Sequence, residues 1–297
     1  MTKKWQKILY DKQGVPDNYV DPTFLSDLKK NVNLRKYSMS EAVIGVLPVT
    51  HEICCTVLFV LTFIFLKEEI SSIFGTVGGV LLLLLVSNLL HLPFANISTI
   101  KLGQLKFMDF TKSCVIFLGF GYIFSPILKD LTKTVSTDTI YAMTSLMLIV
   151  HVFFQDYGAE AAIVSSSLSV NSALFAAVCL SSRLPTVFHT FALVILAVKI
   201  FVLLPLFRRA FKESNISMFL NTVMLFITDL VILVYLSLFY AILFTVLCFV
   251  INILCPSLFV YCQKYKDNIF GPWDEAIVRQ EQKAKKNHDP LSEELVS

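Results

Sequence analysis

The chain has 297 residues, a formal net charge of +3 and a hydrophobic fraction of 56%. This composition excludes an ordinary water-soluble protein, because residues 70–100 and 230–263 contain no Asp, Glu, Lys or Arg. A helix needs about 20 apolar residues to cross the hydrocarbon core of a bilayer, and the apolar runs here are continuous rather than alternating. The sequence therefore predicts an all-α, polytopic transmembrane helix bundle.

Eight helices are predicted in chain order, and the division near Ser237 depends on only a few turn-forming residues. The predicted spans are 43–66, 72–93, 108–128, 138–155, 160–182, 186–206, 217–237 and 239–262. They form one transmembrane domain, 43–263, between a basic N-terminal arm, 1–42, and a C-terminal tail, 264–297. Ser136 or Asp138 is expected to cap the fourth helix, since such side chains accept hydrogen bonds from a first helical turn.

Lys and Arg residues indicate the orientation, because cytosolic loops carry an excess of them. With eight crossings, twenty Lys and Arg residues fall on the side of both termini and four fall on the other side. Both termini are therefore expected to face the cytosol. The glycosylation sequons at Asn96 and Asn215 then lie in cytosolic loops, and neither is expected to carry a glycan.

The fifth predicted helix carries a small residue at every fourth position. These residues are Ala161, Ser165, Ser169, Ala173 and Ala177. Such a face lets a neighbouring helix backbone approach closely. The pattern fits packing inside the bundle, which is the commoner arrangement, and it also fits an interface with a partner subunit.

Ionisable residues at membrane depth are costly and are therefore candidates for function. Here they are His51, Glu52, His151, Lys199 and Asp229. Lys199 is a candidate counter-ion for Asp229 if the sixth and seventh helices pack together, either as a structural pair or as a substrate contact. The alternative function is a small-molecule or lipid transporter whose polar pathway uses Lys199, Asp229 and His151.

Motifs typical of an independent catalyst are missing from the sequence. There is no GxGxxG, Walker or HExxH motif, no GxSxG elbow, and no histidine cluster spaced to hold a metal. The seven cysteines form no CxxC pair. No catalytic residue, metal site or cofactor is therefore predicted.

Short motifs spread along the chain resemble those of one known family. They are Lys4-Trp5-Gln6-Lys7, Pro16-Asp17-Asn18-Tyr19, Ser125-Pro126-Ile127-Leu128, Asp156-Tyr157-Gly158-Ala159 and Gly271-Pro272-Trp273-Asp274. In these stretches the sequence resembles the PIG-C family, whose members are subunits of phosphatidylinositol N-acetylglucosaminyltransferase. The motifs occur in order over nearly the whole chain, whereas residues 43–106 resemble the family only in hydropathy.

The resemblance implies a function that the residues alone do not supply. The family acts in the complex that transfers N-acetylglucosamine from UDP-GlcNAc to phosphatidylinositol, the first step of GPI-anchor synthesis, at the cytosolic face of the endoplasmic reticulum. The resemblance also implies that PIG-A carries the glycosyltransferase fold of the complex, with PIG-H, PIG-P, PIG-Q and PIG-Y as further non-catalytic partners. The resemblance therefore predicts a multi-pass scaffold without a catalytic site of its own.

Four cytosolic residues are the predicted contacts for the lipid acceptor or a partner. Lys101 and Lys106 belong to the second loop, and Asp156 and Tyr157 to the loop after the fourth helix. Lysines near the membrane attract anionic headgroups, whereas an acidic loop suits inositol hydroxyls or a basic partner better than a phosphate. The hypothesis is that this surface holds the catalytic domain and its acceptor together.

Overall fold

The computed structural model describes residues 36–70, 72–91, 107–158, 165–210 and 215–267, together with residues 14, 29–31 and 269–270. The predicted positions Asn96, Lys101, Lys106 and Ala161 lie outside the described residues. The chain divides into two compact units, which are Ser38–Tyr261 and the pair of segments Met1–Tyr37 and Cys262–Ser297.

The larger unit consists of α-helices. In chain order they are α1 (Met39–Lys67), α2 (Ile73–His91), α3 (Phe107–Leu131), α4 (Thr137–Phe154), α5 (Ser166–Ser181), α6 (Val187–Val198), α7 (Leu204–Ala210), α8 (Asn215–Leu236), α9 (Leu238–Phe249) and α10 (Cys255–Cys262). Five-residue π turns join α6 to α7 at Lys199–Leu203 and α9 to α10 at Val250–Leu254. Counting α6 with α7 and α9 with α10 as one rod each, the described helices form eight continuous helical rods. This confirms the predicted all-α bundle and the division at Ser237.

Within the described part of the chain, five helical segments are long and apolar enough to cross a membrane. They are Met39–Lys67, Thr137–Phe154, Val187–Leu206, Asn215–Leu236 and Leu238–Tyr265. Large apolar side chains on these helices are exposed, among them Ile149, Val231 and Phe239. Faces of this kind need a hydrocarbon environment or a partner surface, so the helices indicate a membrane protein.

Side-chain caps mark the starts of several described helices, among them α1 and α4. Ser38 and Glu41 form a capping box in which each side chain accepts a hydrogen bond from the other residue's backbone N–H. This box starts α1 at Met39, four residues before the predicted start. Ser136 caps α4 by accepting from the backbone N–H of Thr139, as predicted.

Each π turn ends shortly before a proline, Pro205 in α7 and Pro256 in α10. A proline lacks the N–H that would bond the carbonyl four residues earlier, and a π turn is one way to accommodate the interrupted ladder. The wider turn also changes which face the following residues present. After the first π turn, α7 directs Arg208 towards α1, where it forms the contacts described below.

Helix α1 supplies the centre of the core. Phe59 packs edge-to-face on Phe201 with ring centroids 5.2 Å apart, and both are fully buried with Leu193 and Leu225. Helix α8 packs mainly against α1, α2 and α9. Helix α5 packs along α4. The core thus connects helices that are distant in sequence.

The smaller unit joins the chain segments that precede and follow the helices. Strand β1 (Lys29–Lys30) pairs antiparallel with β2 (Ile269–Phe270). Asn31 donates through Nδ2 to Asp267 Oδ1 at 2.9 Å. The Gln263 amide accepts from the backbone N–H of Tyr37 at 2.7 Å and donates to the Tyr37 carbonyl at 3.0 Å. These bonds hold the two segments side by side.

Candidate functional site

A buried ion pair joins α1 to α7 and extends to α4. Arg208 donates through Nη2 to Glu52 Oε2 at 2.9 Å, while His151 Nε2 lies 3.0 Å from Glu52 Oε1. The Glu52 side chain is 1% exposed and that of Arg208 11%. Both oxygens of the Glu52 carboxylate are therefore engaged, each by a residue from a different helix.

His51 gives Arg208 a second contact on α1. Arg208 Nη1 lies 3.0 Å from His51 Nδ1, and because a guanidinium can only donate, Nδ1 is the acceptor. The proton of a neutral His51 ring is then on Nε2. Two adjacent residues of α1 thus hold the two terminal nitrogens of one guanidinium, which fixes its plane.

Helix α5 completes this cluster on the far side of His151. The Ser169 hydroxyl lies 2.8 Å from His151 Nδ1 and 2.7 Å from Gln155 Oε1. Ser169, His151 and Gln155 are all buried. We call the set His51, Glu52, His151, Ser169 and Arg208 the polar cluster. It links α1, α4, α5 and α7 inside an otherwise apolar core.

The polar cluster is a point at which single changes are costly. Removing one partner of a buried, hydrogen-bonded ion pair costs about 3–5 kcal/mol, because the remaining charge stays buried without compensation. Removing both partners together is often close to neutral. The cluster therefore fixes the relative positions of four helices only while Glu52 and Arg208 are both present.

A cavity of about 440 Å³ adjoins the polar cluster. Arg208 belongs to the polar cluster and also lines this cavity. The loop after α4 forms one wall with Asp156, Tyr157 and Gly158. Asn215, the first residue of α8, contributes to another wall. We call this space the helix-end cavity, because it lies where α1 and α8 begin and α7 ends. Two of the four predicted cytosolic contact residues, Asp156 and Tyr157, thus lie side by side in the cavity that Arg208 lines.

Local hydrogen bonds hold the first residues of the loop after α4, up to Gly158, in place. Tyr157 donates its hydroxyl to the Val152 carbonyl at 2.6 Å, and Asp156 Oδ1 accepts from the backbone N–H of Gly158 at 2.8 Å. Burial raises the pKa of Tyr157, so its phenol stays protonated and keeps donating at neutral pH. Gly158 has a φ of +83°, a conformation that favours glycine.

No group of three or more His, Cys, Asp or Glu residues is placed to bind a metal ion within the described part of the chain. The polar cluster has one carboxylate, two imidazoles and one guanidinium, and its Glu52 oxygens are occupied by Arg208 and His151. This arrangement suits a fixed structural charge pair better than a metal ligand set.

The comparisons with known proteins give one consistent result. Residues 5–274 match the model of the GPI2 family, described as phosphatidylinositol N-acetylglucosaminyltransferase. The chain belongs to this family. The GPI2 family match covers both the polar cluster and the helix-end cavity, and it agrees with the resemblance found in the sequence motifs.

Curated relatives in the GPI2 family are similar over almost the entire chain. The proteins of Mus musculus and Rattus norvegicus that are named as the C subunit of phosphatidylinositol N-acetylglucosaminyltransferase are each 42% identical to it. The Homo sapiens protein of the same name is 41% identical, and each comparison covers 94% of both chains. No solved structure matches the chain significantly.

The small residues predicted on one face of α5 have different environments. Ser169, Ala173 and Ala177 are buried within the chain against neighbouring helices, and Ser165 is half-buried at the N-cap of α5. Ala161 lies outside the described residues. The buried part of this face is thus engaged inside the bundle, and a partner interface on it remains a prediction.

Asp229 does not form the ion pair considered with Lys199. Asp229 is fully buried on α8, and neither of its carboxylate oxygens has a hydrogen-bond partner among the described residues. The reason is packing, because α8 lies mainly against α1, α2 and α9 rather than along the rod that contains Lys199. No hydrogen bond in the described residues joins His151 to Asp229 or Lys199, so the three do not form a connected polar pathway.

Arg208 is the site residue that the sequence analysis missed. In the sequence it contributes only to the charge distribution that sets the orientation. The sequence contains one chemical indication of the pair. A carboxylate such as Glu52 at membrane depth favours a cationic partner, and Arg208 stands at the end of an apolar helix. The pairing itself depends on the three-dimensional approach of α1 and α7.

Proposed function

We propose that this chain is an accessory membrane subunit of the complex that transfers N-acetylglucosamine from UDP-GlcNAc to phosphatidylinositol. The observation that carries the proposal is the similarity, over 94% of both chains, to proteins named as the C subunit of this transferase. The chain has the long apolar helices of a membrane protein and lacks the sequence motifs of an independent catalyst. The product of the complex is the first intermediate of GPI-anchor synthesis.

The chain acts in this proposal as a scaffold that also presents the lipid acceptor. Holding two reactants in a productive orientation removes much of the entropic barrier without donating a reactive group. The polar cluster supports this role, since it fixes four helices around the end of the bundle that carries the helix-end cavity. The catalytic domain belongs to a partner, PIG-A, with PIG-H, PIG-P, PIG-Q and PIG-Y as further subunits.

The proposed location is the endoplasmic reticulum membrane, with both termini in the cytosol. The distribution of Lys and Arg supports this orientation. The hydrogen bonds between the N- and C-terminal segments support a common side for both ends. The helix-end cavity then faces the cytosol as well, because it is lined from the start of α1, the end of α7 and the start of α8.

Purification of the tagged full-length chain in mild detergent tests the proposal. We expect a glycosyltransferase to co-purify, and we expect the preparation to transfer GlcNAc from UDP-GlcNAc to phosphatidylinositol. The chain separated from its partners is expected to be inactive. Activity retained by the isolated chain contradicts the accessory role, and an inactive preparation without partners contradicts membership in the complex.

A further inference from the structure

The helix-end cavity lies at the ends of helices that are long and apolar enough to cross a membrane. Ile44 stands in the second turn of α1, Arg208 two residues before the end of α7, and Asn215 at the start of α8. These helix ends all lie on one side, since α1 and α8 begin there and α7 ends there. Ile44 and Met218 give the cavity apolar walls next to the polar groups. A ligand that is polar at one end and apolar at the other fits this position.

The charged groups of the cavity favour an anion of low charge. Arg208 is the cation of the described lining, and Asp156 is its carboxylate. A guanidinium has five N–H groups, and among the described residues two protein contacts engage Arg208, at Nη1 and Nη2. The remaining donors can bind a phosphate oxygen, a contact for which the planar arginine side chain is well suited.

We propose that the helix-end cavity binds the phosphoinositol headgroup of phosphatidylinositol, with Arg208 on the phosphate and Asp156 and Asn215 on the ring hydroxyls. This inference rests on the proposed function and assigns the acceptor lipid to this subunit. A carboxylate and an amide are suited to hydroxyl groups, which donate as well as accept hydrogen bonds. The apolar walls then receive the glycerol end of the lipid.

The nucleotide sugar is a poorer match for the same cavity. Its diphosphate carries two negative charges and requires several cationic groups or a metal ion. In this cavity Arg208, the cation of the described lining, is already paired with Glu52. The carboxylate of Asp156 is a negative charge in the same lining. The phosphodiester of phosphatidylinositol carries a single negative charge beside an uncharged polyol, which agrees with the groups present.

The polar cluster gives Arg208 a fixed orientation for this role. Glu52 and His51 hold its two terminal nitrogens, and His151 holds the second oxygen of Glu52. Glu52 is therefore a positioning residue, which acts on the lipid only through Arg208. Loss of either residue leaves its partner's charge buried without compensation, but only loss of Arg208 removes the phosphate contact itself.

The test uses the complete complex, purified from cells in which the tagged chain replaces the native subunit. Initial rates are measured in mixed micelles. In one series the mole fraction of phosphatidylinositol is varied at saturating UDP-GlcNAc, and in a second series the UDP-GlcNAc concentration is varied at a saturating mole fraction of phosphatidylinositol. For Arg208→Gln we expect the KM for phosphatidylinositol to rise about tenfold or more, the range expected for a lost hydrogen bond to a charged group. The KM for UDP-GlcNAc is expected to stay unchanged.

Arg183→Gln is the matched control. Arg183 is also a half-buried arginine, but it donates to the backbone carbonyls of Thr132 and Val135 at the opposite ends of the helices. This variant loses a structural arginine without touching the cavity. Its KM for phosphatidylinositol is expected to equal that of the wild type.

Two further variants keep the inference testable if Arg208→Gln fails to assemble. Arg208→Lys keeps the charge but loses the planar fork, and we expect an intermediate KM for phosphatidylinositol. The double variant Glu52→Gln with Arg208→Gln removes both charges and leaves no buried charge unpaired. We expect it to assemble while keeping the raised KM.

Soluble headgroups distinguish recognition of inositol from general attraction of anionic lipids. Glycerophosphoinositol is expected to inhibit the wild-type complex competitively against phosphatidylinositol, and glycerophosphoserine is not. Equal inhibition by both compounds, or an unchanged KM for phosphatidylinositol in the assembled Arg208 variants, overturns the inference. A wild-type chain that assembles with no transferase activity overturns the proposed function instead.

Discussion

Glu52 is the residue whose loss the structure predicts to be most damaging. Glu52→Ala leaves Arg208 and His151 in the core without their carboxylate. We expect the complex to lose about 3–5 kcal/mol of stability, the cost of breaking a buried ion pair. The loss is measurable as a lower melting temperature of the tagged complex in detergent, followed by size-exclusion chromatography.

The control for Glu52 is Glu68→Ala at the other end of α1. Glu68 pairs with Lys67 at 3.3 Å, but its side chain is 58% exposed, and such surface pairs contribute little. A melting temperature of Glu52→Ala equal to that of the control contradicts a stabilising role for the polar cluster.

Substitution of Asp229 is expected to leave the complex stable, in contrast to Glu52→Ala. Because Asp229 has no hydrogen-bond partner among the described residues, Asp229→Asn keeps its shape and removes no described polar contact. We expect the melting temperature and the transferase activity of the complex to match the wild type, and the same for Lys199→Met. A large loss in both variants, without a further loss in the double variant, would instead demonstrate coupling between Asp229 and Lys199.

At the residue scale, the sequence identified the unusual groups but not their partners. His51, Glu52 and His151 stand out because ionisable residues are rare at membrane depth. The pairing of Glu52 with residues 99 and 156 positions later depends on how α1, α4 and α7 approach one another. Local periodicity contains no information on such distant contacts. For the same reason the sequence suggested Lys199 for Asp229, which no described contact supports.

Helix α5 is the element most sensitive to added volume. Ala173 is fully buried where α5 packs along α4, so Ala173→Leu inserts three carbon atoms into a filled interface. We expect overpacking to cost about 1–3 kcal/mol and to reduce the amount of assembled complex. Quantification of the chain and its co-purified partners after affinity capture provides the measurement.

Asn171→Leu is the companion variant on the exposed face of the same helix. It introduces the same leucine side chain outside the α4–α5 contact, and we expect the normal amount of complex. Loss of assembly by Asn171→Leu alone, with Ala173→Leu unaffected, would place a partner on the outer face of α5 and contradict the internal packing role.

At the element scale, hydrophobic runs predicted the number and order of the helices, but not the exact start of α1 or the two π turns. Crossing length and short charged interruptions determine where a helix lies, and all eight predicted rods are present in the described residues. The earlier start of α1 follows from the Ser38 and Glu41 capping box, whose motif is visible in the sequence. Each π turn ends two residues before a proline, Pro205 or Pro256, but a proline alone does not reveal whether a helix kinks, ends or widens.

For the whole molecule, the predicted orientation leads to a labelling experiment. The N- and C-terminal segments are hydrogen-bonded to each other, so epitope tags at both ends should become accessible together. We expect both tags to be stained when only the plasma membrane is permeabilised. We also expect no endoglycosidase shift from the sequons at Asn96 and Asn215.

A glycosylation tag inserted after Lys133 provides the positive control for orientation. Lys133 is exposed in the connection between α3 and α4, at the helix ends opposite the helix-end cavity. This tag should be modified in the lumen. Modification of Asn215 together with an unmodified tag at Lys133 would reverse the proposed orientation.

The spacing of the Glu52 contacts has a consequence for biosynthesis. At translation rates of about 5–20 residues per second, His151 follows Glu52 by roughly 5–20 s and Arg208 by roughly 8–30 s, given separations of 99 and 156 residues. During that interval α1 has left the ribosome with a carboxyl group at membrane depth and no cation beside it. The ion pair between Glu52 and Arg208 can therefore form only after α7 has been synthesised, and a chain interrupted before Arg208 keeps the Glu52 carboxyl group without its guanidinium.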